Sequence, residues 1–376
     1  MFNNIPIIYF HSVAPLRNKV WSRQYLTFNL AAFEEILKYF VSHSYKSHFL
    51  NAYFEKYHNG NNIIINFDDG YVDNWIYVFP LLKKYKIKAT IYINPEFVDQ
   101  KSIRRFTLED YWSGRRSFDD INSWGFLSYD EMRIMEKSGL VDIQSHTLTH
   151  NKYPVSDNIF GFHHPGSNSL NTIGRLFPGI KPYYIQDENY ESLIPYGYPF
   201  FEEKSAMIAK IAEINSDLIN DIIHTLRGEK WTKEWSISNK LMSDVIEILR
   251  HYRTKNNSII SVESDIEYEK RVYYELYESK RILEYNLEKV ISYCCWPHGD
   301  YNSKAHDIAR EIGYKATSMV GAKGTNRSID RFRRIGMSDS YTNIMTYFKS
   351  IININANQGK TFYKILKSIY KIILDG

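Results

Sequence analysis

The run Ile63-Ile64-Ile65-Asn66-Phe67 ends on two adjacent carboxylates and a glycine, Asp68-Asp69-Gly70. So apolar a stretch has no face to give to water, and it reads as a strand buried within a sheet covered by other elements. Adjacent carboxylates at the end of such a strand repel each other unless a cation or a division of roles separates them. Asp-Gly supplies the turn that leaves the strand.

A second strand-like segment, Val141 to Gln144, leads into Ser145-His146-Thr147-Leu148-Thr149-His150, with two imidazoles at i and i+4. One carboxylate and two imidazoles are three protein ligands, the number that holds a catalytic zinc with one position open for water. The remaining carboxylate then stands where it can take a proton from that water. The two segments together read as a metal-dependent hydrolase.

Other segments supply a frame. Ile5 to Phe10 reads as a short buried strand delivering His11 and Ser12, and Lys88 to Asn94 as another. Helical spacing covers Phe33 to Phe40 after a possible Asn29 cap, and Val72 to Tyr85 after the Asp69-Gly70 turn. Ser128 and Glu131 form a capping box for a helix over Tyr129 to Lys137, which Gly139 stops. Strands alternating with helices predict an α/β fold with a parallel sheet or barrel. His11, Asp68-Asp69 and His146 all fall at the C-terminal ends of strands, the active face of such a barrel.

Bulk properties narrow the classes. With 47 basic and 43 acidic residues the formal charge is +4, too mild to argue for nucleic acid. The two cysteines, Cys294 and Cys295, are neighbours, so no disulfide framework exists. No window approaches the ~18–20 apolar residues of a spanning helix. The segment Met1 to Pro6 lacks a charged region followed by a long apolar one, and the expected location is the cytoplasm. The 31 Tyr and 21 Phe fit either core packing or rings stacked on sugars, and composition does not choose between them.

After His150 the pattern changes. Residues 155 to 200, rich in Gly, Pro, Asn and Tyr, read as a long loop, and 201 to 255 as helical. Within them His163 and His164 read as polar loop residues, and Trp231 with Trp235 as core. A charged helix from Glu267 to Lys289 leads to a strand over Val290 to Trp296. The helix Lys304 to Ile312 then precedes a strand over Tyr314 to Val320. Lys360 to Leu374 is amphipathic, with Lys364, Lys367 and Lys371, and suits a docking helix or a peripheral contact with a membrane surface.

With these residues in view the chain resembles the NodB-homology polysaccharide deacetylases, carbohydrate esterase family 4. The first family motif stands as Asn66-Phe67-Asp68-Asp69-Gly70, and the second as His146-Thr147-Leu148-Thr149-His150. The third, a P-x-G loop, stands as Trp296-Pro297-His298-Gly299-Asp300-Tyr301-Asn302, and Leu127-Ser128-Tyr129-Asp130 is also similar to the family. The resemblance implies a distorted (β/α) barrel built from residues 1–155 and 268–345. Residues 156–267 would form a mostly helical insertion capping the active face, and 346–376 a helical tail. It implies one divalent metal, Zn2+ by preference with Co2+, Ni2+ or Fe2+ as alternatives, on Asp69, His146 and His150. Asp68 would be the general base, and Pro297, His298 and Tyr301 would serve the substrate and the oxyanion.

Tyr9-Phe10-His11-Ser12 is similar to the opening of the poly-N-acetylglucosamine branch, which implies His11 as general acid. No Leu-x-His follows the third motif, and His306 is the only later histidine. The chain departs from the family where Cys295-Trp296-Pro297-His298 replaces R-x-P-Y, removing the arginine that steers the base; Arg333 or Arg334 is the candidate substitute. His150 and Trp296 also stand 146 positions apart, far more than the family pattern. The implied activity is removal of N-acetyl groups from an amino sugar of a saccharide or glycan precursor. A deformylase, a non-sugar amidase, or a catalytically weak saccharide-binding protein are the alternatives.

Overall fold

The computed structural model describes residues 5–15, 26–55, 59–121, 124–186, 188–319, 329–337 and 343–375. Six parallel strands pair in succession: β1 (Ile7–Phe10), β2 (Asn62–Phe67), β3 (Ala89–Ile93), β4 (Val141–Ser145), β5 (Tyr293–Cys294) and β6 (Ala316–Met319). Two short segments share the next place. β7 (Arg331–Arg333) pairs with β6, and β8 (Ile335–Gly336) pairs with β1. Only Arg334 separates them, so one extended stretch joins the last strand to the first and the sheet becomes a (β/α) barrel.

Strand geometry sends successive side chains to opposite faces. Ile7, Ile64, Tyr92, Tyr293, Cys295 and Phe332 meet in one buried cluster inside the barrel. Their neighbours Ile8, Ile63, Ile65, Ile91 and Cys294 join the larger core between barrel and helices. Both alternating sets are apolar because both faces are covered. Each fully buried Ile or Phe contributes roughly 1.5–3 kcal/mol relative to exposure. Phe54 of the short helix Asn51–Phe54 stacks on Tyr293, with ring centroids 6.1 Å apart.

Local sequence starts the surrounding helices. Asn29 Oδ1 accepts the Ala32 N–H at 3.1 Å and begins the helix Leu30–Ser42. Ser128 with Glu131, and Ser264 with Glu267, form reciprocal capping boxes for Tyr129–Lys137 and Asp265–Leu287. The segment after the Asp69-Gly70 turn is a π-helical stretch, Asn74–Val78, continuing into Phe79–Tyr85. The strand over Val290 to Trp296 is shorter than expected, with only Tyr293–Cys294 in the ladder.

Residues 155–200 are not a long loop. Lys152–Phe162 is an eleven-residue strand antiparallel to Pro199–Ser205, and Leu170–Leu176 is a helix. Pro154 and Gly161 read as breakers, yet the pairing absorbs them in register shifts between Pro154 and Ile159 and between Ile159 and Gly161. The expected helix from Phe201 begins only at Ser216–Thr225, because Pro199, Phe201 and Ser205 alternate inward as a strand. A second helix, Asn239–His251, packs with it around Phe162, Leu218, Ile222, Leu226 and Val245. Trp231 and Trp235 lean on that cluster, their rings 4.5 Å apart.

The helix Asn343–Asn357 docks on the barrel: Ile354 enters the main core, and Asn355 Nδ2 donates to Tyr39 Oη at 3.0 Å. Thr361–Asp375 follows as a helix, in which the Lys371 side chain lies outside the described residues. Among the described residues no helix is long and apolar enough to cross a membrane.

Candidate metal centre

The C-terminal ends of the barrel strands converge. β1 delivers His11, β2 delivers Asp68 and Asp69, β4 delivers His146, β5 delivers Cys295, and the β7–β8 junction delivers Arg334. The backbone there is held in uncommon geometry: Asp69 (φ 69°), Thr147 (φ 64°), His150 (φ 55°) and His298 (φ 57°) are all left-handed without being glycine. Such conformations cost free energy and persist where the surroundings enforce them. Gly70 (φ 72°) has a second constraint, since a Cβ there would stand 2.5 Å from Ile93 Cδ1. The Asn94 amide clamps the second motif by donating to the Thr147 carbonyl at 3.2 Å and to the His146 carbonyl.

Asp69 Oδ1 lies 3.3 Å from His146 Nε2 and 3.4 Å from His150 Nε2. His146 Nδ1 is 2.8 Å from the Cys295 carbonyl, an acceptor, so that nitrogen carries a proton and Nε2 is the ring atom turned toward Asp69. Asp69 Oδ1 is buried and makes no hydrogen bond. One carboxylate oxygen and two imidazole nitrogens therefore face one point, an arrangement that suits a cation. Asp69, His146 and His150 fit a tetrahedral divalent ion with one position left over. Burial alone would raise Asp69, but His150, His146 and His11 outweigh it and hold the carboxyl well below its ordinary range.

Asp68, His146 and Cys295 also converge. Their ligand atoms are committed elsewhere. Arg334 holds Asp68 by both oxygens, Nη1–Oδ1 at 2.6 Å and Nη2–Oδ2 at 2.9 Å. Cys295 Sγ points at Asp68 Oδ1 from 3.8 Å and accepts from Ser318 Oγ at 3.5 Å. Burial pushes Asp68 up, yet the Arg334 guanidinium, with His146 and His11, more than offsets this and keeps it ionised. Arg334 also lies over the Tyr9 ring, 4.2 Å from its centroid. Of the two candidate arginines it is Arg334 that reaches the Asp68 carboxylate, whereas Arg333 is exposed.

His11 Nε2 is 4.0 Å from Asp68 Oδ2. Burial lowers its pKa; Asp69 and Asp68 pull it up, Arg334 and His146 push it down, and the net direction is downward. His298 is exposed and its ring meets His150 edge to face, with centroids 4.4 Å apart. Pro297 is buried in the turn Pro297–Gly299, and Tyr301 stacks on Trp296 at 5.8 Å. His306 is engaged by Thr317 and Asp330, and His163 by Ser167 and the Glu191 carbonyl.

The insertion reaches the second motif. The buried Lys181 ammonium donates to the Thr149 carbonyl at 2.8 Å, to Asn151 Oδ1 at 2.7 Å and to Glu96 at 2.5 Å. From the other side Glu275 accepts from the Thr149 N–H at 3.0 Å and its hydroxyl at 2.6 Å. His150 is thereby fixed between the insertion and the helix Asp265–Leu287. No sequence signal pointed to Lys181 or Glu275. For Arg334 the signal was two arginines in an apolar frame, Phe332-Arg333-Arg334-Ile335.

A family model described as polysaccharide deacetylase matches residues 55–164. The chain is 31% identical over 88 residues to the putative polysaccharide deacetylase YxkH of Bacillus subtilis (strain 168), a stretch that spans 23% of either protein. The structure is similar to the BpsB deacetylase domain from Bordetella bronchiseptica, with 14% identity, 88% of this chain and 95% of that one covered, and a TM-score of 0.50. It is also similar to a de-N-acetylase from Aggregatibacter actinomycetemcomitans, at 17% identity, 91% and 99% coverage and a TM-score of 0.49. At these identities the likeness to the BpsB domain concerns the barrel fold.

Proposed function

We propose that the chain is a NodB-homology polysaccharide deacetylase and that it hydrolyses N-acetyl groups on an amino sugar of a saccharide or glycan precursor. The observation that carries this reading is the pair of unlike aspartates, Asp69 facing two imidazole nitrogens and Asp68 held by Arg334. A divalent ion on Asp69, His146 and His150 would polarise the acyl carbonyl and acidify a water. Asp68, kept ionised, accepts the proton that the attacking water loses as the oxygen–carbon bond forms. A protonated His11, its Nε2 4.0 Å from Asp68 Oδ2, would give its proton to the departing amine, and the proton that Asp68 takes from the water would restore it by way of solvent. Water and amide thus leave as carboxylic acid and amine, with no proton unaccounted for. A backbone N–H of the Pro297-His298 turn would serve the oxyanion, and Tyr301 would border the sugar. The turn's position against His150 supports that assignment.

Zn2+ is the ion this donor set favours, with Co2+, Ni2+ and Fe2+ as substitutes. A weak saccharide-binding role draws its motive from the missing third-motif arginine and the missing late histidine, and the Arg334–Asp68 pair answers the first of these. Deformylation or non-sugar amide hydrolysis has no observation of its own in its favour.

The test separates the two aspartates. Bound metal per chain is measured by elemental analysis after zinc reconstitution, with acetate release from N-acetylglucosamine oligomers measured in parallel. Asp68→Asn is expected to keep its metal and lose turnover, and Asp69→Asn to lose both. Equal metal loss in the two variants, or undiminished turnover in Asp68→Asn, contradicts the assignment.

A further inference from the structure

The helix Asp265–Leu287 has two faces of opposite character. On the inward face Val272, Leu276 and Leu283 enter the core, and Glu275 holds Thr149 beside His150. The outward face carries Tyr273, Tyr274, Tyr277 and Tyr285, between 42% and 79% exposed. At 3.6 residues per turn these rings, with Ile266 and Arg281, fall within an arc of about 120° and run for about 30 Å along the helix. The Tyr273 and Tyr277 rings stack on each other, with centroids 5.7 Å apart. Ile266 near the start is 67% exposed, and Val290 just past the end is 69% exposed. Single exposed apolar residues are ordinary, but a continuous stripe of them marks a contact surface.

The stripe is complementary to itself. Counted from the buried Ser279, Tyr277 lies two residues before and Arg281 two after. Tyr273 lies six before and Tyr285 six after, Lys270 nine before and Glu288 nine after. A twofold axis crossing the helix at the level of Ser279 lays two copies antiparallel and brings each residue to its counterpart. Guanidinium then meets ring at the centre, ring meets ring farther out, and ammonium meets carboxylate at the rim. Ile266 and Val290 close the two ends. Tyrosine and arginine at the centre with lysine and glutamate at the edge is the gradient that protein interfaces show. At roughly 150–250 Å² per ring, the four tyrosines leave on the order of 400 Å² of surface in water. Two copies supply about 800 Å² from tyrosine alone, and Ile266, Val290 and Arg281 carry the total toward the ~1,200–2,000 Å² of a stable interface.

We infer that the outward face of Asp265–Leu287 is a dimer interface, occupied by the same helix of a second copy of this chain, antiparallel about a twofold axis. An unlike partner has no need of a pattern that mirrors itself. The inference is independent of the reaction at the metal centre, and its test needs no substrate.

The experiment is sedimentation equilibrium of the full chain across the micromolar range, with circular dichroism to confirm that each variant is folded. The parent is expected to approach twice the chain mass as concentration rises. Tyr277→Ala removes a contact that the axis makes twice, and is expected to weaken the dimer about tenfold. Lys270→Glu and Glu288→Lys, both at exposed positions, each set like charges against one another and are expected to weaken it severalfold. Combined in one chain, the two substitutions restore opposite charges across the axis and are expected to recover the parent affinity. A chain that stays monomeric throughout, or a dimer equally tight in every variant, overturns the inference. A double variant no tighter than the two single ones overturns the antiparallel register on which it rests.

Discussion

Arg334 grips both oxygens of Asp68 across 266 positions of sequence, and its own backbone is the junction through which the barrel closes. Both side chains are 3% exposed, so the pair stands almost wholly out of water. Removing one partner of such a pair leaves a buried charge uncompensated, at a cost of about 3–5 kcal/mol. Arg334→Met is expected to lose stability on that scale in urea denaturation. Adding Asp68→Asn to it should recover part of the loss. A double variant no more stable than the single one counts against the pairing as the cause.

Asp73 gives the protein a pH dependence away from the metal centre. It is buried, accepts from Ser12 Oγ at 2.5 Å and from the Val13 N–H at 3.1 Å, and burial pushes its carboxyl up to about 7. Unfolded, the group titrates near 3.8. Between these values the folded state binds a proton that the unfolded state does not, so stability falls as pH rises from about 4 to about 7 and levels off above. The slope from this group approaches about 1.4 kcal/mol per pH unit. Melting temperatures across that window are expected to fall with pH in the parent and to lose this component in Asp73→Asn. Parallel profiles for the two proteins would remove Asp73 from the account.

Lys181 tests whether the insertion is part of the site. Its three acceptors include the Thr149 carbonyl and Asn151, which flank His150. Partners outside the ligands fix ligand orientation, and their loss weakens metal binding by roughly 10–100-fold. Lys181→Met is expected to fall at the lower end, about tenfold, because it acts through the residues beside His150. Chelator competition reads this directly. An unchanged zinc affinity would show that the Asn94 and Glu275 contacts suffice to hold the loop.

The barrel was legible because its strands are buried on both faces, and Ile63 to Phe67 leaves little else to read. The helix starts were legible where Asn29, Ser128 and Ser264 cap their own backbones, a purely local signal. Asp68, Asp69, His146 and His150 stood out only jointly, since each pair alone reads as an ordinary turn or as ordinary histidines and it is their occurrence together at strand ends that suggests a site. The closing stretch was illegible for the opposite reason: Phe332-Arg333-Arg334 does not say which arginine turns inward, since the answer lies in a partner from β2. The hairpin Lys152–Phe162 was misread as loop because Pro154 and Gly161 look like breakers until the bulges accommodate them. Lys181 gave no local sign, as its burial is justified only by groups that the fold brings to it.

The barrel's seam has a consequence for biosynthesis. During synthesis both leading motifs emerge long before residue 334, so Asp68 waits for its counter-charge through most of the chain's production. Contacts of such sequence separation form late and slowly. Until the final strand arrives, the aspartate has no guanidinium to offset its burial, and a partly made chain holds the parts of the site without their setting. In the proposed mechanism, competence is thereby timed to completion of the barrel.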